Sequence, residues 1–331
     1  MLEFYNSLFS IHNNMLNLII TNKYNGIFTG KFQITDMFKY LVNNMDYCEI
    51  DVTEILNHSE SEVNDIFIRK FGKLPDNIIL FYTCYVNLAF LSIPSKIKTH
   101  AIVDDIHQEN EHKENRIIGF RKCSSILATY GYAFNQFYDN IPATFFPYCT
   151  RFISAFNDKP INRVLVSGRL NKDIYPVRQM MYELSKKSKT IDYLKVNVGY
   201  RIEKDKPELI YGQRYIDYLS KYLICFTCEA SDKRPYLVKK FFEIPGSGSL
   251  LLTINPVTKA SFAQLGMIDG EHYISASTSD IVEKIRFLLD PCNRDMVDRI
   301  RKKGYEMIKA NHTYIQRAHT LDEIVRSAKN S

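Results

Sequence analysis

The sequence predicts an α/β architecture of two adjoining domains, each built around a parallel sheet. Its 331 residues exceed one ordinary core and suffice for two. Short β-like runs alternate with helix-like ones from end to end, the pattern of α/β units. That alternation breaks from Arg151 to Asn162, where polar residues gather with Asn157, Asp158 and Pro160 before a new series starts at Arg163. The expected division is an N-terminal domain over 1–155, a second over 162–313, and a closing helix over 314–331 that packs back toward the first.

In the first half, strands are expected at Leu16 to Thr21, Cys48 to Val52, Ile78 to Tyr82, His100 to Val103 and Ser125 to Ala128. Helices fall between them at Thr35 to Asn44 and Glu60 to Phe71, and Gly26 and Gly30 punctuate the loop after the first strand. The second half yields strands at Val164 to Ser167, Leu194 to Val198, Leu223 to Thr227, Ser249 to Thr253 and His272 to Ile274. Its helices are expected at Pro176 to Lys187, Gln213 to Lys221, Pro235 to Ile244, Ser279 to Leu289 and Asp295 to Asn311, and a last one runs from Tyr314 to Ala328. No internal repeat or low-complexity tract interrupts the series.

Composition narrows the class. Hydrophobic residues at 45% and charged residues at 24% fit a folded globular chain and exclude disordered and fibrous ones. The net charge of +6 comes from interspersed signs, not from the basic stripe of a nucleic-acid binder, and fits a protein that meets anionic ligands. No apolar run is long enough to span a bilayer, and Met1 to Asn14 lacks a basic leader, so a cytoplasmic location is expected. The seven cysteines lie mostly in apolar runs; Cys225 and Cys228 form a C-x-x-C pair with no second pair or histidine cluster and read as structural thiols.

The most informative segment runs from Arg234 to Leu252. Ser231 or Asp232 caps a helix whose first turn holds Pro235, and its free amides beside Arg234, Tyr236 and Lys239 offer a diphosphate site. Lys239 and Glu243 are four apart on one face. Glu243 is expected on the last turn, where the helix dipole disfavours an anion, so it calls for a reason such as accepting two ribose hydroxyls. Gly246, Ser247 and Gly248 make a turn that permits close approach of backbone. A surface Lys-Glu pair followed by a glycine turn is the plainer alternative. A second segment, Val164 to Arg178, runs from an apolar strand through Gly168 into a helix near Pro176. Gly168 lets backbone approach a ligand, and Arg169, Lys172 and Arg178 offer charge to phosphates.

Together these segments resemble the C-terminal domain of GT-B glycosyltransferases, in particular the spore-maturation-type branch and similar enzymes of large DNA viruses. The resemblance rests on Val166 to Arg178 and Lys239 to Leu252, and continues through Ile281 to Leu289 and His312 to Ala318. It implies a GT-B fold of two Rossmann-like domains facing a central cleft, and transfer of a sugar from a nucleotide-diphosphate donor to a glycan, protein or small-molecule acceptor. It implies that Glu243 binds the donor ribose and that Arg169 with Lys172 approximates the basic pair at the diphosphate, although their spacing is shorter than usual. Pro235 stands where the family carries the first glutamate of its E-x7-E pair. That departure removes one donor-sugar contact, leaves the retaining or inverting outcome open and permits a non-catalytic nucleotide-binding module; a sugar-nucleotide epimerase or phosphorylase of the same fold is a further alternative.

In the first half, Ala101 to His107 reads as a strand ending in polar groups, and Asp105 and His107 are candidates to serve an acceptor hydroxyl as base. No Asp-x-Asp triplet occurs and the histidines are scattered. No metal and no cofactor beyond the nucleotide-sugar co-substrate is expected, and no nucleic-acid partner.

Overall fold

Apolar runs become the strands of two parallel sheets in a computed structural model that describes residues 15–21, 32–82, 91–104, 113–195, 210, 212–229, 236–254 and 259–327. The first sheet comprises β1 (Asn17–Thr21), β2 (Tyr47–Asp51), β3 (Asn77–Tyr82), β4 (Lys98–Val103), β5 (Ser125–Ala128) and β6 (Thr144–Phe145), in the order β2-β1-β3-β4-β5-β6. Its strands read as unbroken apolar runs because both faces are covered: Leu18 and Ile19, Ile78 and Ile79, Ala101 and Ile102 point to opposite sides and all are sealed. Helices α1 (Phe32–Asn44), α2 (Glu60–Phe71), α3 (Lys113–Arg121) and α4 (Gly131–Phe137) flank it. The expected bounds of α2 are met because both ends are locally specified. Ser59 and Glu62 form a reciprocal capping box, and Gly72 closes the helix with φ 75°.

The second sheet comprises β7 (Ile161–Ser167), β8 (Ile191–Leu194), β9 (Tyr222–Phe226), β10 (Leu250–Ile254) and β11 (Ile274–Ala276), in the order β11-β10-β9-β7-β8. Around it lie α5 (Pro176–Ser185), α6 (Gln213–Leu219), α7 (Lys240–Gly246), α8 (Lys259–Gln264), α9 (Ile281–Leu289) and α10 (Arg294–Asn311). From β7 the chain goes to β8 on one side and then to β9 on the other. Such a reversal opens a crevice at the carboxyl ends of the strands, where ligands of open α/β sheets bind.

The closing helix α11 (Tyr314–Ser327) lies on α1, with Ala318, Leu321 and Val325 packed among Ile34, Met37, Phe38 and Leu41. Tyr47 Oη donates to Asp322 Oδ1 at 2.9 Å, and Arg326 Nε reaches both oxygens of Asp322 at 2.8 Å. The chain passes between the sheets at two places that touch: Thr150 N–H donates to the His312 carbonyl at 2.9 Å and Tyr314 N–H to the Thr150 carbonyl at 3.1 Å. Buried Arg317 braces this crossing, donating from Nη2 to His312 Nδ1 at 3.1 Å and to the Tyr148 carbonyl at 3.3 Å.

Several elements depart from expectation: α3, α4, α8 and β6 were not foreseen, and β7 opens at Ile161, ahead of the expected Val164. Strand β8 is Ile191–Leu194 and opens three residues before the expected Leu194 to Val198, of which 196–198 lie outside the described residues, because Ile191 and Tyr193 pair with Val164 and Val166 while polar Asp192 hides the run. Strand β11 starts at Ile274, not His272. Helix α7 starts at Lys240, not Pro235, so Glu243 stands in its first turn and not its last. Tyr236 and Leu237 are both drawn into the core ahead of the helix, and that burial overrides the local start signals. Ser231, Asp232 and Pro235 lie outside the described residues.

Candidate functional site

The site is built from the carboxyl end of β7 outward. Gly168 follows Ser167 with φ +119°, and a Cβ there would run into Lys240 Nζ and come within 3.4 Å of the Arg178 guanidinium. Only glycine suits both the backbone angle and the crowding. Tyr193 Oη donates to the Gly168 carbonyl at 2.7 Å, and Ser167 Oγ lies 2.7 Å from the buried Tyr215 hydroxyl. Lys240, at the start of α7, donates from Nζ to the Ser167 carbonyl at 2.9 Å. The lysine therefore spans from α7 to the switch point of the sheet.

Arg178 sits in α5 behind Gly168, 3% exposed, with Nη1 donating to the Arg169 carbonyl at 3.1 Å and its Cζ 3.9 Å from the Tyr175 ring centroid. Pro176 at the start of α5 suits this placement, since its missing N–H costs no hydrogen bond there. The loop between β7 and α5 is tied by Asn171, whose Oδ1 accepts from the N–H groups of Asp173 at 3.0 Å and Ile174 at 3.1 Å. Arg169 and Lys172 are exposed on that loop.

Positive charge dominates the recess. Burial, and next the Arg178 guanidinium, push the Lys240 ammonium down to about 7, opposed by Glu243 and Cys228. Burial also raises the Glu243 carboxyl, against the pull of Lys239 and Lys240. An acid in the first turn of a helix is favoured by the dipole, so the reason for an unusual Glu243 is its recess among charged neighbours and not its place on the helix.

Across from this recess, the first sheet ends in a different arrangement. Asp104, just past β4, is fully buried and accepts from Thr129 Oγ1 at 2.8 Å and from Tyr148 Oη at 2.5 Å. The Tyr130 hydroxyl lies 2.8 Å from that of Tyr148, and the Tyr130 ring stacks on Tyr236 with centroids 4.3 Å apart. Tyr236 in turn places its hydroxyl 3.5 Å from that of Tyr175, while Lys239 Nζ lies 6.0 Å from the centroid of Tyr148. This tyrosine line joins the two α/β units beside the recess.

Of the residues singled out in the sequence, Gly168, Arg178, Tyr236, Lys239 and Glu243 surround this region, with Arg169 contributing its carbonyl. Lys172 faces solvent. The turn of Gly246, Ser247 and Gly248 is corrected: it lies at the opposite, amino end of β10 and approaches the chain itself. A Cβ on Gly246 would meet Ile153 Cδ1 at 3.2 Å, and the Gly248 carbonyl accepts from Arg301 Nε at 3.0 Å. Asp105, His107 and Arg234 lie outside the described residues. Lys240, Ser167, Tyr215 and Tyr193 were not foreseen. Lys240 had a local sign, being three residues before Glu243 on the same helix face, but its partner Ser167 is distant in sequence. Among the described residues, no group of three or more His, Cys, Asp or Glu is arranged to hold a metal ion, and no helix is long and apolar enough to cross a membrane. Cys225 and Cys228 are free buried thiols, both raised above the ordinary thiol value by burial.

Two facing sheets of this topology define the GT-B class of α/β folds, and comparison with solved structures bears this out. Anabaena HepE in complex with UDP-glucose superimposes with TM-score 0.59 at 10% identity, covering 95% of this chain and 100% of the other. Sucrose-phosphate synthase from Thermosynechococcus elongatus does so with TM-score 0.55 at 10% identity, covering 96% and 100%. A glycosyltransferase from Rickettsia africae gives 0.56 at 11% identity, covering 97% and 100%. The chain spans only 61% of the GtfA/B complex structure and 57% of TarM, which it also resembles. Residues 178–323 match the family model described as glycosyl transferase-like. No curated protein matches the sequence.

Proposed function

We propose that this protein is a glycosyltransferase that takes a sugar from a nucleotide-diphosphate donor and passes it to a glycan, protein or small-molecule acceptor without a metal ion. The observation that carries this is the cation-lined recess at the switch point of the second sheet, where Gly168, Arg178, Lys239 and Lys240 meet Glu243. Positive charge in a recess off bulk water favours the developing charge of a departing nucleoside diphosphate, because fixed cations act strongly where dielectric screening is low. Arg169 and Lys172, exposed at the mouth, supply further charge, and Arg234 is assigned to the same task on sequence grounds. Tyr236 forms the wall beside the diphosphate. Glu243 takes the ribose hydroxyls, an acceptor-only group for two O–H donors. Asp105 or His107 serves the acceptor hydroxyl.

The fold of HepE, whose structure holds UDP-glucose, and the glycosyl transferase-like match over 178–323 support this reading. A thermal-shift screen against UDP-, GDP-, CDP- and dTDP-sugars identifies the donor, since a ligand that binds the native state raises its apparent stability. Glu243→Ala is then expected to weaken that nucleotide roughly tenfold to a hundredfold, the range for hydrogen bonds to a charged group, and to lower donor turnover. Unchanged affinity and turnover in this variant would exclude the site.

Pro235 in the place of the first family glutamate favours one competing possibility, a nucleotide-binding module without catalysis. Nucleotide binding with neither hydrolysis nor transfer across a broad acceptor panel is the result that distinguishes it.

A further inference from the structure

Lys240 is held where a simple structural lysine would be costly. Its Nζ is directed into the sheet's switch point, against the α-carbon of Gly168, where the Ser167 carbonyl accepts from it at 2.9 Å. The buried Arg178 guanidinium approaches the same glycine from α5. Two cations thus converge on one point of backbone. Facing them are Glu243 from α7 and Lys239 just before it, Cys228 just past β9 with Glu229 next to it, and Tyr215 from α6 by way of Ser167.

We propose that Lys240 holds the donor's diphosphate by exchanging the Ser167 carbonyl for phosphate oxygens, and that donor binding is coupled to uptake of one proton by its amine. This rests on the nucleotide-sugar function proposed above and adds a residue and a pH response to it. In the free protein, burial and Arg178 disfavour the ammonium, bringing it down to about 7. A diphosphate within hydrogen-bonding reach of Nζ reverses the balance, since an anion favours the charged form by direct attraction. The free protein at pH 8 therefore holds mostly neutral Lys240, and the bound protein holds it charged. The atoms balance simply: one proton moves from solvent to Nζ, and no covalent bond is made or broken.

The sign follows from linkage. Below about pH 7 Lys240 is already charged and donor affinity is flat; above it, affinity falls by about tenfold per pH unit, because binding then consumes a proton. A nucleotide sugar is a suitable probe because its diphosphate is a diester and lacks the terminal phosphate ionisation near pH 6. Titration calorimetry of the full chain with UDP-glucose, GDP-mannose, CDP-glucose and dTDP-glucose, each in two buffers of different ionisation enthalpy at pH 6 and pH 8, measures both affinity and protons taken up.

For the donor that binds, the expectation is close to one proton at pH 8 and close to none at pH 6. Lys240→Met is expected to bind roughly tenfold to a hundredfold more weakly at pH 6 and to take up no proton at pH 8. Lys240→Arg, charged at every accessible pH, is expected to recover much of the affinity, also without proton uptake. Circular dichroism of both variants confirms that they fold. Binding of a donor with no proton uptake by the wild type, or proton uptake that persists in folded Lys240→Met or Lys240→Arg, overturns this proposal while leaving the nucleotide-sugar function intact. Failure of all four donors to bind the wild type overturns both.

Discussion

The carboxyl ends of β4 and β7 are reached by similar apolar strands and finished in opposite ways. Past β4 stands Asp104, a carboxyl sealed from solvent and met by the hydroxyls of Thr129 and Tyr148. Past β7 stands Gly168, with no side chain at all, and the neighbouring groups are the cations Lys240 and Arg178. The first end ties these polar groups to one another and holds Tyr130 and Tyr148 at the junction of the two units. The second keeps positive charge around a glycine, which is the arrangement an anionic ligand needs. Carboxyl ends of parallel strands are general ligand-binding places, but local chemistry decides which of them bind.

The sharpest way to break this contrast is to give the β7 end a side chain. Gly168→Ala places a methyl group against Lys240 Nζ at a backbone angle that L-residues rarely adopt. Strain of this kind costs on the order of 1–3 kcal/mol, and the displaced lysine adds to the damage, so donor affinity is expected to fall at least about tenfold. Calorimetry on the folded variant checks this; full donor affinity would show that Lys240 and Gly168 do not act together.

The converse change is Asp104→Ala, which strips two buried hydroxyls of their acceptor. A stability loss of about 1–3 kcal/mol is expected from removing a buried acceptor, read as a lower urea midpoint, with donor affinity unchanged in the folded protein. Weakened donor binding at intact stability would mean that the β4 end belongs to the binding machinery after all. The mildest test is Lys172→Ala. Its side chain is exposed, where screened charges contribute about 1 kcal/mol or less, so donor affinity is expected to drop only a few-fold. A loss as large as that of Lys240→Met would return Lys172 to the place that the family resemblance implies for it.

How much of this was readable in advance depends on how local each feature is. Strand β5 and helix α2 fall at their expected bounds, the one because its apolar run is short and sharply flanked, the other because Ser59, Glu62 and Gly72 mark both ends. Helix α7 does not, because burial of Tyr236 and Leu237 against the first unit competes with the helix signals before it. The glycine turn at 246–248 misled for a related reason. Glycines that admit a ligand and glycines that admit the chain's own Ile153 and Phe156 look alike in sequence.

The sequence by itself determined the α/β class and the approximate strands, because periodicity and turn chemistry are properties of neighbouring residues. Only the tertiary structure decided that Lys240 reaches the switch point, that Glu243 sits in a first turn, and that Asp104 is enclosed. Each of these depends on where a side chain is buried and what charge stands beside it, and those partners are brought together by packing between segments far apart in the chain.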